Sequence, residues 1–222
     1  MTVPRIILLV PLLAASCAPG VADRGGGSAP PPPTKPRFVV DVRPVTASSL
    51  GRSWHPGCPV APAGLRLVSA SAWGFDGRPY RGRLIVNRDA VPAVSRVLRR
   101  LFALHYPVRR MRPVSAYGAD DHRSMAADNT SAFNCRFVSG TTRWSQHAYG
   151  RAIDLNPLEN PYVDGDHVSP PRGRRFADRS LHVKGLVHDG GNVVRAFAAV
   201  GWGWGGHWGG ARDYQHFSAT GT

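Results

Sequence analysis

The chain has 222 residues, of which 42% are hydrophobic and 9% aromatic. That composition supports a packed core and excludes a globally disordered chain. Lys and Arg number 28 against 14 acidic residues, a formal charge of +14 in which all but Lys35 and Lys184 are arginines. Such a charge favours polyanions, whether nucleic acid, anionic lipid heads or an acidic cell-wall polymer, and composition does not choose among them.

Arg5 precedes an apolar run from Ile6 to Ala15, interrupted by Pro11, and Ser16-Cys17 follows. One positive charge, an apolar stretch and small residues at its end predict a secretory signal over residues 1–17. The run is too short to span a bilayer, which needs about 20 apolar residues. Ala14-Ala15-Ser16-Cys17 resembles a bacterial lipobox, so Cys17 is expected to receive lipid after cleavage. An ordinary cleaved signal with an incidental cysteine is the alternative. Residues 18–36 are rich in Gly and Pro, with Gly25-Gly26-Gly27 and then Pro30 to Pro33. They bury nothing and read as a tether, flexible at first and then stiff. Behind a lipid anchor it would hold a domain off the outer face of a membrane.

The folded part is expected over residues 37–222. Leu65-Arg66-Leu67-Val68 and Arg83-Leu84-Ile85-Val86 are short β-like runs, separated by a turn region at Gly74 to Pro79. A helix follows from Ala90 to about His105, capped by Asn87 or Asp89 and carrying Pro92 in its first turn. Its Val91, Val94, Val97, Leu98 and Leu101 recur at helical spacing and belong to the core. Val114 to Tyr117 reads as a strand, Asp120-Asp121-His122 as a polar loop, and Asn192 to Val200 as a second, shorter helix. Tyr162 to Arg179, rich in Pro, Gly and charge, reads as an insertion. Few helices among several short strands predict an α+β domain, a small antiparallel sheet flanked by a few helices. In an exported chain, Cys58 and Cys135 are expected to form a disulfide rather than remain two thiols.

The chemistry concentrates in Trp144-Ser145-Gln146-His147-Ala148-Tyr149-Gly150-Arg151-Ala152-Ile153-Asp154-Leu155. Gly150 permits a turn that brings His147 back toward Asp154. Arg151 to Leu155 alternates like a strand, with Ala152 and Asp154 on one face. A neutral imidazole beside a carboxylate can bind zinc. A second piece is Asp213-Tyr214-Gln215-His216-Phe217, behind a Gly- and Trp-rich run from Gly201 to Gly210. Asp213 and His216 are an odd number apart, so both serve one site only if Asp213 lies in a bend before the strand.

Ser145, His147, Gly150, Ala152 and Asp154 match the pattern S-x-H-x-x-G-x-A-x-D, and Asp213 to Phe217 supplies an acid, a histidine and an aromatic in order. Together they resemble the zinc D-alanyl-D-alanine carboxypeptidase family, which includes VanY-like carboxypeptidases and the L-alanyl-D-glutamate peptidases of phage endolysins. The resemblance covers about Val114 to Ser218. It implies a hedgehog/DD-peptidase-like fold and one zinc ion held by His147, Asp154 and His216. It implies Asp213 as the general base and an upstream arginine as the substrate-facing cation, Arg136 first and Arg123 as its rival, with Ser145 beside the substrate. Asp213 and Gln215 stand where the best-known carboxypeptidases have Glu and Trp, and so resemble the endopeptidase-like branch more closely.

A zinc peptidase acting on peptidoglycan stem peptides is therefore expected, exported to the cell envelope and monomeric, with anionic wall polymers as further partners. A catalytically silent cell-wall binding module of the same fold is the alternative. A nucleic-acid partner is not expected, because the arginines are scattered rather than clustered with aromatics. Trp202, Trp204 and Trp208 are open to two readings, a substrate groove or a glycine-rich loop pinned by buried rings. His207 is a weak rival ligand, and His55, His105, His167, His182 and His188 are expected in solvent.

Overall fold

The computed structural model of the protein describes residues 36–222. The expected secretory signal, Cys17 and the expected tether up to residue 35 lie outside the described residues. Strands β1 (Val40–Pro44), β2 (Leu65–Trp73) and β3 (Pro79–Asn87) form an antiparallel sheet in that order. The two β-like runs are the ends of nine-residue strands in which Leu67 faces Ile85 and Val68 faces Leu84. The remainder was hard to read because Ala70, Ala72 and Gly82 have little β preference. They are strand because something packs on them: both alanines are buried, and a Cβ on Gly82 would run into Met111.

Helix α1 (Ala47–Leu50) lies between β1 and β2, and helix α2 (Val91–Ala103) packs on β2. Val94, Val97, Leu98, Leu101 and Phe102 are its buried stripe. Each such side chain contributes about 1.5–3 kcal/mol when taken out of water. Neither expected cap acts: Ala90 occupies that position without a side-chain acceptor. Asn87 instead donates to the Tyr149 carbonyl at 3.0 Å, and Asp89 pairs with Arg151. Both residues thus tie the first sheet to the segment that carries His147.

Next come β4 (Arg110–Met111) and β5 (Asn129–Thr130), a short parallel pair, with helix α3 (Asp121–Ala126) between them. Val114–Tyr117 is a 3-10 turn and not a strand. Its fourth residue is followed by Gly118 at φ 73°, which reverses the chain. Asp120-Asp121-His122 is likewise no loop. The Asp120 carboxylate accepts from the Arg123 N–H at 3.0 Å and starts α3.

The rest of the chain comprises β6 (Ala152–Asp154), β7 (Tyr162–Asp164), β8 (His167–Ser169), helix α4 (Asn192–Ala198), β9 (Gly203–Trp204), β10 (Arg212–Asp213) and β11 (His216–Ser218). They build two further antiparallel sheets, ordered β6-β11-β9 and β10-β7-β8. The α+β class holds, but among the described residues three three-stranded sheets and the β4–β5 pair replace the single small sheet expected. Phe217 is fully buried and stacks on Phe197 of α4 at 3.8 Å, which pins β11 to the core. Trp202 and Trp204 are buried in the same cluster, so two of the three tryptophans follow the core reading. Among the described residues no helix is long and apolar enough to cross a membrane.

Cys58 and Cys135 are bonded across a sequence separation of 77. Closing a loop of that size removes unfolded-state entropy equivalent to about 4 kcal/mol. Cys58→Ser/Cys135→Ser is accordingly expected to lower the thermal midpoint by about 10 °C, at about 2–4 °C per kcal/mol for a domain of this size. Adding reductant to the native protein should reproduce the shift. An unchanged midpoint in both would remove the cross-link from the account of stability.

Candidate metal centre

The site begins with the pairing of β6 and β11. Their register sets His216 opposite Asp154, Phe217 opposite Ile153 and Ser218 opposite Ala152. Facing residues of an antiparallel pair project to one side. Asp154 and His216 thus share a face, while Ile153 and Phe217 enter the core from the other. His147 arrives from the 3-10 turn Gln146–Tyr149, which Ser145 caps by accepting the His147 N–H at 3.3 Å. Gly150 ends that turn at φ 64°, and a Cβ there would lie 2.6 Å from the Asn87 nitrogen. Both the left-handed backbone and the close approach to β3 require glycine.

His147 Nε2, His216 Nδ1 and the Asp154 carboxylate converge. The nitrogens are 3.2 Å apart, and they lie 3.1 and 3.2 Å from the two carboxylate oxygens. All three residues are at most 5% exposed. The outward nitrogens are already engaged: His147 Nδ1 donates to the Ala132 carbonyl at 2.6 Å, and His216 Nε2 to the backbone oxygen of Thr222 at 3.3 Å. In the neutral rings these bonds assign the protons. Two lone pairs are left facing each other and a carboxylate. That is how metal-bound histidines are oriented by a second ring of partners. A tetrahedron with metal–ligand bonds of 2.0–2.1 Å has edges of about 3.3–3.4 Å, close to the separations here. The donor set fits zinc.

Burial alone would lower the His147 pKa, but the Asp154 carboxylate outweighs it and raises it. Burial works the other way on Asp154, and the His147 and His216 rings together hold its carboxyl well below the usual range. Asp213 ends β10, paired with Tyr162 of β7, so the expected bend is a short strand followed by a turn at Tyr214-Gln215. That turn breaks the odd-offset conflict with His216. Asp213 Oδ1 is buried without a hydrogen-bond partner. Burial pushes its carboxyl up to about 6, and the Asp154 charge adds to the shift.

A cavity of about 690 Å³ opens onto these groups, a size that takes a peptide segment. Arg136 lines it, with its guanidinium 2.8 Å from the Asp121 carboxylate, and Ser145 lines it as well. Arg123 is exposed and not part of the lining. His167, although exposed as expected, lies on the cavity wall with Asp164 of the β7–β8 hairpin. The Tyr162–Arg179 insertion therefore does flank the site. Trp208 lines the cavity and approaches His216 at 5.3 Å, which makes it the one groove residue of the three tryptophans considered. His207 pairs with Asp189 at 2.7 Å and is no ligand. His55 meets Cys58 and Cys135, but the bonded sulfurs leave no thiolates for a metal there.

Other contributors carried no assigned role in the sequence. Phe137 and Trp144 stack at 4.0 Å on the cavity rim, and their signal was two aromatics flanking a Ser-Gly-Thr-Thr turn. Gln215 is buried behind Asp213, with its Nε2 toward the Met125 sulfur. The Ala132 and Thr222 contributions are backbone oxygens, which leave no trace in residue type.

Residues 139–219 match the family model described as D-alanyl-D-alanine carboxypeptidase. This stretch is similar to that family of zinc peptidases, and it contains His147, Asp154, Asp213 and His216 but neither Arg123 nor Arg136. No curated protein and no solved structure matches the chain. The match covers less than half of the chain and is a likeness of this stretch to carboxypeptidase-type hydrolases.

Proposed function

We propose that the protein is an exported zinc metallopeptidase that hydrolyses peptide bonds in the stem peptides of bacterial peptidoglycan. One observation carries the reading: two imidazole nitrogens, each turned inward by an acceptor bonded to the other nitrogen of its ring, and a carboxylate converge at 3.1–3.2 Å, an arrangement that fits a cation. His147, Asp154 and His216 would hold one zinc ion. When bound, zinc supplies Lewis acidity that polarises the scissile carbonyl and acidifies water. Asp213 takes the proton of the attacking water as the C–O bond forms. It passes that proton to the leaving amine as the C–N bond breaks. Ser145 holds the His147 turn in place at the edge of the substrate pocket.

Arg136 faces the charge that develops on the carbonyl oxygen, or a substrate carboxylate, and Asp121 fixes the plane of its guanidinium. Its place on the cavity wall favours it over Arg123. Arg136→Ala is expected to lower kcat/KM by about 10²–10³-fold with the zinc content unchanged. Arg136→Lys should recover only part of that loss, because the forked geometry is gone. Wild-type turnover in Arg136→Ala would return the role to Arg123.

The reading extends to residues 1–17 as the export signal with Cys17 lipidated, 18–36 as the tether, and 37–222 as a monomeric peptidase domain at the outer face of the membrane. The deciding experiment titrates zinc into the purified protein, then incubates it with muropeptides and follows products by mass spectrometry. Release of a terminal D-alanine marks a carboxypeptidase, and separation of the stem between L-alanine and D-glutamate marks an endopeptidase. Stoichiometric zinc with neither product would leave a wall-binding module.

A further inference from the structure

A second concave feature lies away from the metal centre, where α2 packs against α4. This groove has a volume of about 410 Å³ and shares no lining residue with the metal-site cavity. Arg96, Arg100 and Arg195 surround it, and Ala196, Ala199 and Val200 line its apolar part. Arg96 and Arg100 are four apart on α2 and so project from one face, where like charges repel. Arg195 enters from α4, braced by the Gly190 carbonyl and by the Asn192 side-chain oxygen at 2.7 Å. Among the described residues none of the three is in an ion pair, although Arg43, Arg109, Arg136 and Arg151 each find a carboxylate. Arg100, in the last turn of α2, also suits the carbonyl end of the helix, but that does not account for Arg96 or Arg195.

We propose that the α2–α4 groove is a docking site for a linear phosphodiester polymer of the polyol-phosphate kind, gripped by Arg96, Arg100 and Arg195. Guanidinium forks suit successive phosphates, and three cations around one groove without a paired carboxylate leave their charge for a ligand. The lining selects among phosphodiesters. No aromatic ring among the described residues borders the groove, so there is no platform on which a nucleic-acid base could stack. The small aliphatic lining fits a flexible chain of CH₂ and CHOH groups instead. An anionic membrane fits less well, because the site is concave and the exposed large hydrophobics, Val39, Val42, Phe137 and Val183, all lie off α2 and α4. The site is independent of the peptidase reading and would hold the chain to a polyanionic surface whatever the metal centre cleaves.

The test uses the full chain and fluorescein-labelled poly(glycerol phosphate), with binding followed by anisotropy between about 50 and 200 mM salt. The wild type is expected to bind with log Kd linear in log salt. Arg96→Gln/Arg100→Gln/Arg195→Gln should bind at least about tenfold more weakly, with the slope reduced by about two to three, one for each phosphate no longer neutralised. Its zinc content and muropeptide cleavage should match the wild type. Should the triple variant unfold, Arg96→Gln/Arg100→Gln keeps Arg195 and its bracing in place and should remove about two of those units. Equal affinity and slope in variant and wild type overturns the site. So does tighter wild-type binding to a single-stranded oligonucleotide or to phosphatidylglycerol vesicles than to the polymer, when that binding shows the same arginine dependence.

Discussion

Asp213→Asn is expected to bind zinc as the wild type does and to turn over muropeptides about 10²–10⁴-fold more slowly, the usual worth of a positioned general base. The residue lies outside the converging group of His147, Asp154 and His216, so the proposed ligand set survives its change. Asn keeps the size of the side chain and loses only the ability to take a proton. The pH profile offers an independent check. With its carboxyl pushed up to about 6 by burial and the nearby Asp154 charge, Asp213 is protonated and inactive as a base at low pH, and becomes competent as pH rises. A bound cation opposes that shift, so the acid limb of kcat/KM is expected at or below about pH 6 in the zinc-loaded enzyme, and Asp213→Asn should abolish it. A variant that loses zinc together with turnover would make Asp213 a ligand. A variant with wild-type turnover would require another base.

His147→Ala, Asp154→Ala and His216→Ala are each expected to reduce zinc affinity by well over about 100-fold. That exceeds the roughly 10–100-fold that removal of a supporting partner costs. Each removes one of three donors, and in the Asp154 variant the charge that raises the His147 pKa goes as well. The readout need not be catalytic. Zinc in about 1,000-fold excess over its wild-type Kd should stabilise the wild type by about 4 kcal/mol and raise its thermal midpoint, while stabilising the three variants by less than about 1.4 kcal/mol at the same concentration. Chelation should reverse the shift in the wild type and stop turnover, with recovery on adding zinc back. Full zinc occupancy in all three variants would overturn the site assignment. The two experiments are complementary, since the first separates chemistry from binding and the second shows where the metal is held.

The residues of the candidate metal centre were legible because their chemistry depends on residue type at fixed spacing. His147, Gly150 and Asp154 announce a histidine folded back on a strand carboxylate, and the alternation that set Asp154 and Ile153 on opposite faces agrees with the β6–β11 register. The α2 stripe was legible for the same reason, since period in sequence maps onto one face. Misreadings fell where local preference was weak or overruled. Val114–Tyr117 has β-like ends but is closed into a turn by Gly118. Asn87 and Asp89 look like caps but are drawn off to Tyr149 and Arg151 by tertiary contacts.

What the sequence determined by itself was the inventory: an α+β chain, a pair of cysteines, and three candidate ligand side chains and an acid in two short motifs at 147–154 and 213–216. Tertiary structure decided which groups meet. It put Arg136 rather than Arg123 on the cavity wall, Trp208 in the site and Trp202 and Trp204 in the core, and it set Asp213 at the end of a strand rather than in a bend. It also supplied the Ala132 and Thr222 backbone oxygens that orient the two histidines, and brought arginines from two distant helices around one groove. The physical reason is the same in each case. Side-chain chemistry is local and visible in the residue type, whereas backbone acceptors and partners far apart in the chain acquire their roles only when packing brings them within bonding distance.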